Sequence, residues 1–245
     1  EELETELYNE ALTAADVVCE VEEFRESDVK HFKLSNGSYI AVKYDTDVHY
    51  MDEEEHWVDI DNSLEKVEET VTVPADEAKA ADSGTSGMLR SRSQTASAQS
   101  REITKEVEQY QPADAAVDIQ FATKSAEEDA PDFSMGDDTY TVGFSMVDAE
   151  MRTAEVSVPE QEEITDSTSI AAAVSLPNLT SVVLYEDVLD GIDLEYILHG
   201  NDIKENIIVK ERRDSYEFSF EMQLDQLVPQ AQEDGSIILV DRESK

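Results

Sequence analysis

Tyr216-Glu217-Phe218-Ser219-Phe220-Glu221-Met222-Gln223-Leu224 alternates apolar and polar side chains one residue at a time. Successive side chains of an extended chain point to opposite faces, so this spacing predicts a strand with one buried and one wetted face. A helix would need its apolar residues three and four apart. The same period recurs upstream. Ile192, Leu194, Tyr196 and Leu198 alternate with Asp193, Glu195 and His199, with Ile197 as the one interruption. Tyr140, Val142, Phe144 and Met146 alternate with Thr139, Thr141, Gly143 and Ser145. One apolar and one wet face is the pattern of antiparallel sheets packed on one side. Shorter strands are expected at Val117-Ile119-Phe121, Ala154-Val156-Val158, Val183-Tyr185, Ile207-Val209 and, after the turn Gln232 to Ser236, at Ile237 to Val240. The fold class is therefore all-β: an antiparallel β-sandwich-like body with a Ser/Ala-rich linker and little helix.

Outward from these strands the chain divides into four stretches. Residues 1–16 form an acidic lead-in, and residues 17–75 a first strand-rich block with candidates at 29–34, 39–44, 47–50, 57–60 and 67–73. Ser35-Asn36-Gly37-Ser38 joins the first two as a hairpin, because Asn-Gly readily takes positive φ. Residues 76–110 read as a linker or short helix. Between Ser83 and Lys105 the stretch is rich in Ser, Thr and Ala and holds Arg90, Arg92, Arg101 and Lys105 against Glu102 alone. Residues 111–245 form a second strand-rich block that packs with the first as one composite domain; two small β domains are the alternative. Ile170-Ala171-Ala172-Ala173-Val174 reads as either a helical turn or a small-residue strand, ended by Pro177.

The 245 residues carry 59 Asp and Glu against 18 Lys and Arg, a formal charge of −41. Phosphate backbones are bound by clustered Lys and Arg, so nucleic acid is excluded as a partner. No apolar run approaches the ~18 residues of a membrane span, and no membrane insertion is expected. The field attracts cations and basic protein surfaces instead. With Cys19 as the sole cysteine no intrachain disulfide forms, and Val18-Cys19-Glu20 reads as a small buried hydrophobe rather than an activated nucleophile. With only 8 Gly and 6 Pro, the turns must lean on Asn and Asp.

Candidate functional residues follow from chemistry and spacing. Asp187, Asp190 and Asp193 around Gly191 are the calcium candidates, oxygen donors that could converge. Asp45-Thr46-Asp47 and Asp59-Ile60-Asp61-Asn62 also place acids two apart, but neither continues into a calcium loop with its Gly and twelfth-position Glu. His49 and His56 flank the acidic run Met51 to Glu55, which reads as a solvated hairpin loop rather than a zinc site. Asp193 with Glu195, two apart on one strand, is the pair most suited to acid–base work. Trp57 offers either a stacking surface for a sugar or cover for a sheet edge. Asp193, Lys204 and Glu205 are expected to form a charge pair between neighbouring strands, with Glu205 on the apolar face beside Ile203 and Ile207; a buried Glu needs such a partner. No phosphate loop, dinucleotide fingerprint, nucleophile elbow or zinc-protease motif occurs. No catalytic residue and no cofactor other than calcium is assigned.

Two runs resemble a known family. Val29-Lys30-His31-Phe32-x-Leu34-x-Asn36-Gly37, Val48-His49-Tyr50-x-Asp52 and Trp57-x-Asp59-Ile60-Asp61-Asn62-x-Leu64 form the first. Val183-x-Tyr185-x-Asp187-Val188-x-x-Gly191-x-Asp193-Leu194-x-Tyr196 and Lys204-Glu205-Asn206-Ile207-Ile208-Val209 form the second. Together they resemble the N-terminal β-rich region of large secreted Gram-positive surface proteins, of the RHS-repeat, wall-associated and DNRLRE types. The resemblance implies an extracellular or cell-surface, non-catalytic module that displays downstream repeats or adheres to a protein or to cell-wall glycan. A carbohydrate-binding or carbohydrate-active domain with an acidic cleft is the alternative. The family supplies no catalytic residues at these positions, and the Tyr-Asp-rich repeats themselves are absent from this chain.

Overall fold

A computed structural model describes residues 15–74, 102–123, 131–150, 154–159 and 169–243, with the backbone alone over 68–74 and 102–107. The expectations for residues 1–14, for residue 75 at the end of the first block and for the linker over 76–101 lie outside the described residues. The first block opens with a three-stranded antiparallel sheet of β1 (Val17–Glu20), β2 (Val29–Leu34) and β3 (Tyr39–Lys43). A hairpin of β4 (His49–Met51) and β5 (Trp57–Asp59) follows. β6 (Asp61–Pro74) and β7 (Glu102–Asp114) then form a long ribbon that continues through β8 (Asp118–Ala122), β9 (Phe133–Gly136) and β10 (Thr141–Met146). β11 (Ala154–Ser157), β12 (Thr180–Leu189), β13 (Ile192–His199) and β14 (Asp202–Val209) make a four-stranded sheet in that order. β15 (Phe220–Asp225) returns to the edge of a six-stranded sheet ordered β15-β10-β9-β8-β7-β6, and β16 (Leu227–Ala231) with β17 (Ile237–Asp241) closes the chain as a hairpin. Among the described residues every strand pair is antiparallel. The molecule is all-β and sandwich-like, and strands of both blocks share the six-stranded sheet.

The core lies where that sheet faces the four-stranded one. Ile192, Leu194, Tyr196 and Leu198, the apolar set of the alternation, are at most 1% exposed. They meet Ile119, Phe121, Phe133 and Met146 from the other layer. The rings interlock: Phe121 lies 5.3 Å from Phe133 and 5.6 Å from Tyr196, and Tyr185 meets Tyr196 edge-on at 6.2 Å. In the first block Val29, Phe32 and Leu34 are buried along β2, and Val48 and Ile60 form a small separate cluster with Leu179, flanked by Tyr44, Tyr50 and Leu176.

The opening stretch divides in two. Phe220, Met222 and Leu224 pair with Met146, Phe144 and Val142 on one face, as the alternation requires. Tyr216 does not join them. It is 55% exposed before the strand begins, and its hydroxyl accepts the Arg213 N–H at 2.9 Å. Residues 102–110 are strand, not linker or helix, because the ladder of β6 draws Glu102–Asp114 into extended pairing. Cys19 is exposed, not buried, since the β1 register shift between Val17 and Cys19 turns it outward. Ile170–Val174 is one helical turn, α1, with the Ser169 hydroxyl accepting the Ala172 N–H at its start. Among the described residues no helix is long and apolar enough to cross a membrane.

Candidate functional site

The densest polar assembly joins the first sheet to the β4–β5 hairpin. Hairpin closure at Asp52 and His56 sets the register so that His49 stands opposite Asp59 and Met51 opposite Trp57. Period two then puts His49, Asp59 and Trp57 on one face. The first sheet brings Glu20 from the end of β1 and Lys30 from β2, while a short 3-10 turn over Glu22–Phe24 swings Arg25 back over them. Arg25 donates from Nε to Glu20 Oε1 (2.7 Å), from one terminal nitrogen to the Trp57 carbonyl (3.1 Å), and from the other to Asp59 Oδ2 (3.0 Å). Lys30, 6% exposed, donates to the Asp59 carboxylate and lies 3.6 Å from Glu20 Oε2. His49, 1% exposed, donates from Nδ1 to the Glu26 carbonyl at 2.7 Å. Its Nε2 faces Asp59 Oδ1 at 3.4 Å and Glu20 Oε1 at 3.7 Å.

Electrostatics follow from this geometry. Burial works against a charged imidazole, but Asp59, Glu20 and the Glu26 carbonyl outweigh it and push His49 up to about 9. Burial likewise works to raise Glu20, yet His49, Arg25 and Lys30 hold it down at about 2. Contact with His49, and then with Lys30 and Arg25, holds Asp59 well below the usual carboxylate range. The cluster thus gathers three cations around two carboxylates inside a strongly acidic chain. Carboxylates so stabilised as anions are weak bases and do not serve as acids near neutral pH. The arrangement binds elements together rather than activating a nucleophile.

A second polar joint ties the first block to the four-stranded sheet. Asn62, fully buried, donates from Nδ2 to the Leu179 carbonyl (2.8 Å) and the Gly200 carbonyl (2.9 Å), and its backbone N–H donates to the Asn178 carbonyl (2.7 Å). Gly200, at φ +59°, lets Thr46 and Asp47 pack against it, because a Cβ there would lie 2.4 Å from the Asp47 carbonyl oxygen.

The expected site residues are placed as follows. Asp187 and Asp193 converge on the Lys210 ammonium at 2.8 and 2.7 Å, and Asp193 Oδ1 also accepts the Asp187 N–H. Burial works to raise Asp193, but Lys210 and the Asp187 amide outweigh it, so its carboxyl sits below its ordinary value. Asp190 takes part through its carbonyl, which accepts from Arg213. The cation that meets Asp193 is therefore Lys210 and not Lys204, because Lys204 stands across from Ile197 in the register while Lys210 leaves the end of β14 beside the β12–β13 turn. Glu205 does share the face of Ile203 and Ile207, opposite Tyr196; partial burial and the Asp132 charge raise its carboxyl. Trp57 is half-buried with its ring 6.4 Å from that of His49. His49 and His56 part company: His56 is exposed beside Asp52 and Glu54, each at 3.7 Å. Among the described residues no group of three or more His, Cys, Asp and Glu is set to hold a metal ion.

An open acidic depression of about 440 Å³ lies between Tyr140, Asp225 and Asp241, with the Tyr140 hydroxyl donating to Asp241 Oδ2 at 3.1 Å. The residues of the Arg25–His49 cluster that sequence reasoning missed are Glu20, Arg25 and Lys30; of its members only the His49–Asp59 pairing carried a signal, through hairpin closure. No protein-family model, no curated protein and no solved structure matches the chain.

Proposed function

We propose that this chain is a non-catalytic structural or interaction module of a secreted bacterial surface protein, adhering to a protein or cell-wall glycan or displaying further repeats. The supporting observation is where its constrained charges go. Glu20, Asp59 and Asp193 are each bound by a cation from another element, so they brace sheets and turns. The resemblance of the Val29–Leu64 and Val183–Val209 runs to extracellular surface proteins supplies the context. The acidic exterior suits a basic partner surface, whose association would weaken steeply with salt.

A second reading, a carbohydrate-binding or carbohydrate-active domain, draws on the depression beside Tyr140, where an aromatic ring adjoins Asp138, Asp225 and Asp241. Co-sedimentation with isolated Gram-positive cell walls over a salt series, with reducing ends assayed in parallel, separates the two. Saturable binding without new reducing ends supports the module. Release of sugar that vanishes in Asp225→Asn overturns it in favour of the second reading, and the absence of both binding and release argues against adhesion to the wall.

A further inference from the structure

The Glu26 carbonyl can only accept, so the 2.7 Å contact fixes a proton on His49 Nδ1. The proton that can come and go is therefore the one on Nε2. That nitrogen is buried and makes no hydrogen bond of standard length, yet it points at two carboxylate oxygens, 3.4 and 3.7 Å away. With a proton it is a cation facing Asp59 from β5 and Glu20 from β1. Without one, its lone pair confronts two anions, which is repulsive at a nitrogen that is itself buried from water. Lys30 from β2 and Arg25 from the turn contact the same two carboxylates. Tyr44, just after β3, feels burial first and then the Glu20 and Asp59 charges, and its phenol is pushed up to about 12, so it stays neutral throughout.

The cluster sits at the joint between the first sheet and a short hairpin. β4 and β5 are three residues each and pair with one another as a two-stranded hairpin. Such a hairpin is marginal without outside contacts. Backbone ties reach it from Ser27, whose carbonyl accepts from Val48 and His49. Tyr50 on its other face packs beside Val48 and Ile60 and donates to Asp114 Oδ1, and the remaining side-chain ties to the first sheet come from the cluster.

We propose that the His49 cluster is a protonation-dependent latch: the doubly protonated imidazolium ties the β4–β5 hairpin to the first sheet, and loss of the Nε2 proton loosens it. The sign follows from linkage. A group whose folded pKa lies above its unfolded value stabilises fully below the unfolded value, here 6.5, and that stabilisation is lost as pH rises through about 9. The latch is closed at neutral and acidic pH and opens on the alkaline side.

Trp57, the chain's sole tryptophan, lies against His49 and reports on the joint. The experiment follows, in the intact chain, the His49 imidazole carbon-bound proton by NMR and the acrylamide quenching of Trp57 from pH 5 to 10. The expected result is a His49 midpoint near 9, with quenching that rises through the same midpoint. His49→Gln removes the quenching step and leaves only tyrosine ionisation above about pH 10. Should His49→Gln not fold, Glu20→Gln serves instead: one carboxylate fewer faces Nε2, and the midpoint drops toward neutrality. A His49 midpoint at or below 6.5 overturns the proposal. So does a high midpoint across which Trp57 quenching stays flat, because the imidazolium would then exist without acting as a tie.

Discussion

Around β12 and β13 the protein is held by rings and branched aliphatic chains; around β4 and β5 it is held by ions and amides. Phe121, Val183, Ile192, Leu194 and Tyr196 bury themselves between two broad sheets, and the hydrophobic effect needs no directional partner there. The first block has a three-stranded sheet and a short hairpin; Val29, Phe32 and Leu34 are buried in its sheet, and Val48 and Ile60 cluster with Leu179 beside the hairpin. In these smaller layers apolar burial is joined by contacts with defined geometry: Arg25 on Glu20 and Asp59, and Asn62 on Leu179 and Gly200. The two regions should therefore answer differently to truncation, salt and pH.

Truncation of the ring core is the largest expected effect. Phe121→Ala removes a side chain with no exposure that touches both Phe133 and Tyr196, and large-to-small changes of this kind cost about 3–5 kcal/mol. Urea unfolding followed by far-UV circular dichroism measures it. A cost under 1 kcal/mol would mean that the sheets do not close on one another there.

Removing a cation from the first block comes next. Lys30→Met keeps the buried stem and deletes the charge, leaving Glu20 and Asp59 to Arg25 and His49. The expected cost is about 2 kcal/mol, below that of a fully buried pair because Asp59 is half exposed. Lys210→Met deletes the cation between Asp187 and Asp193 at a solvent-facing turn. Its cost is smaller and should fade between 0.05 and 0.5 M salt, whereas that of Lys30→Met persists, because buried pairs are screened less. Equal salt dependence in the two variants would remove the distinction between the joints. Acid should act late on the same joint. Glu20 is held down at about 2, so its stabilisation is complete above 4.5 and is lost only as pH falls toward 2. Trp57 emission that shifts already near pH 4 would contradict this.

The sequence carried the ring region more fully than the ionic one, for a physical reason. Burial of one face writes itself into every second residue, so Ile192 to Leu198 and Phe220 to Leu224 could be read locally. The reading failed where composition and period disagree. Glu102 to Tyr110 carries helix-forming Glu, Lys and Gln, and only its ladder with β6 decides for strand. Tyr216 keeps the alternation but lies beyond the end of its partner strand, since β10 stops at Met146 opposite Phe220. Glu20, Arg25, Lys30 and Asp59 meet across separations that no local period encodes. In a chain with 59 carboxylates, nothing in the sequence marks which two will be bound.

The smallest effect concerns three hairpins closed by the same hydrogen bonds. Leu34 N–H donates to the Ser38 carbonyl and Gly37 N–H to the Leu34 carbonyl, each at 2.9 Å, with Gly37 at φ +85°. Gln232, Gly235 and Ser236 repeat the pattern, with Gly235 at φ +88°. In the β4–β5 hairpin Asp52 N–H donates to the His56 carbonyl and Glu55 N–H to the Asp52 carbonyl, but the residue with positive φ, at 63°, is Glu55. A left-handed conformation costs an L residue about 1–2 kcal/mol, and glycine returns part of that gain through its looser unfolded chain. Glu55→Gly should thus stabilise by about 0.5 kcal/mol. Gly37→Ala and Gly235→Ala should lose about 1 kcal/mol each, through the backbone alone, since an added Cβ meets nothing within 4 Å at either. Because Glu55 closes the hairpin that carries His49 and Asp59, the gain should appear as slower amide exchange in β4 and β5 and leave β12 and β13 unchanged. Protection that rises equally in both regions would show that the ionic joint and the ring core open together.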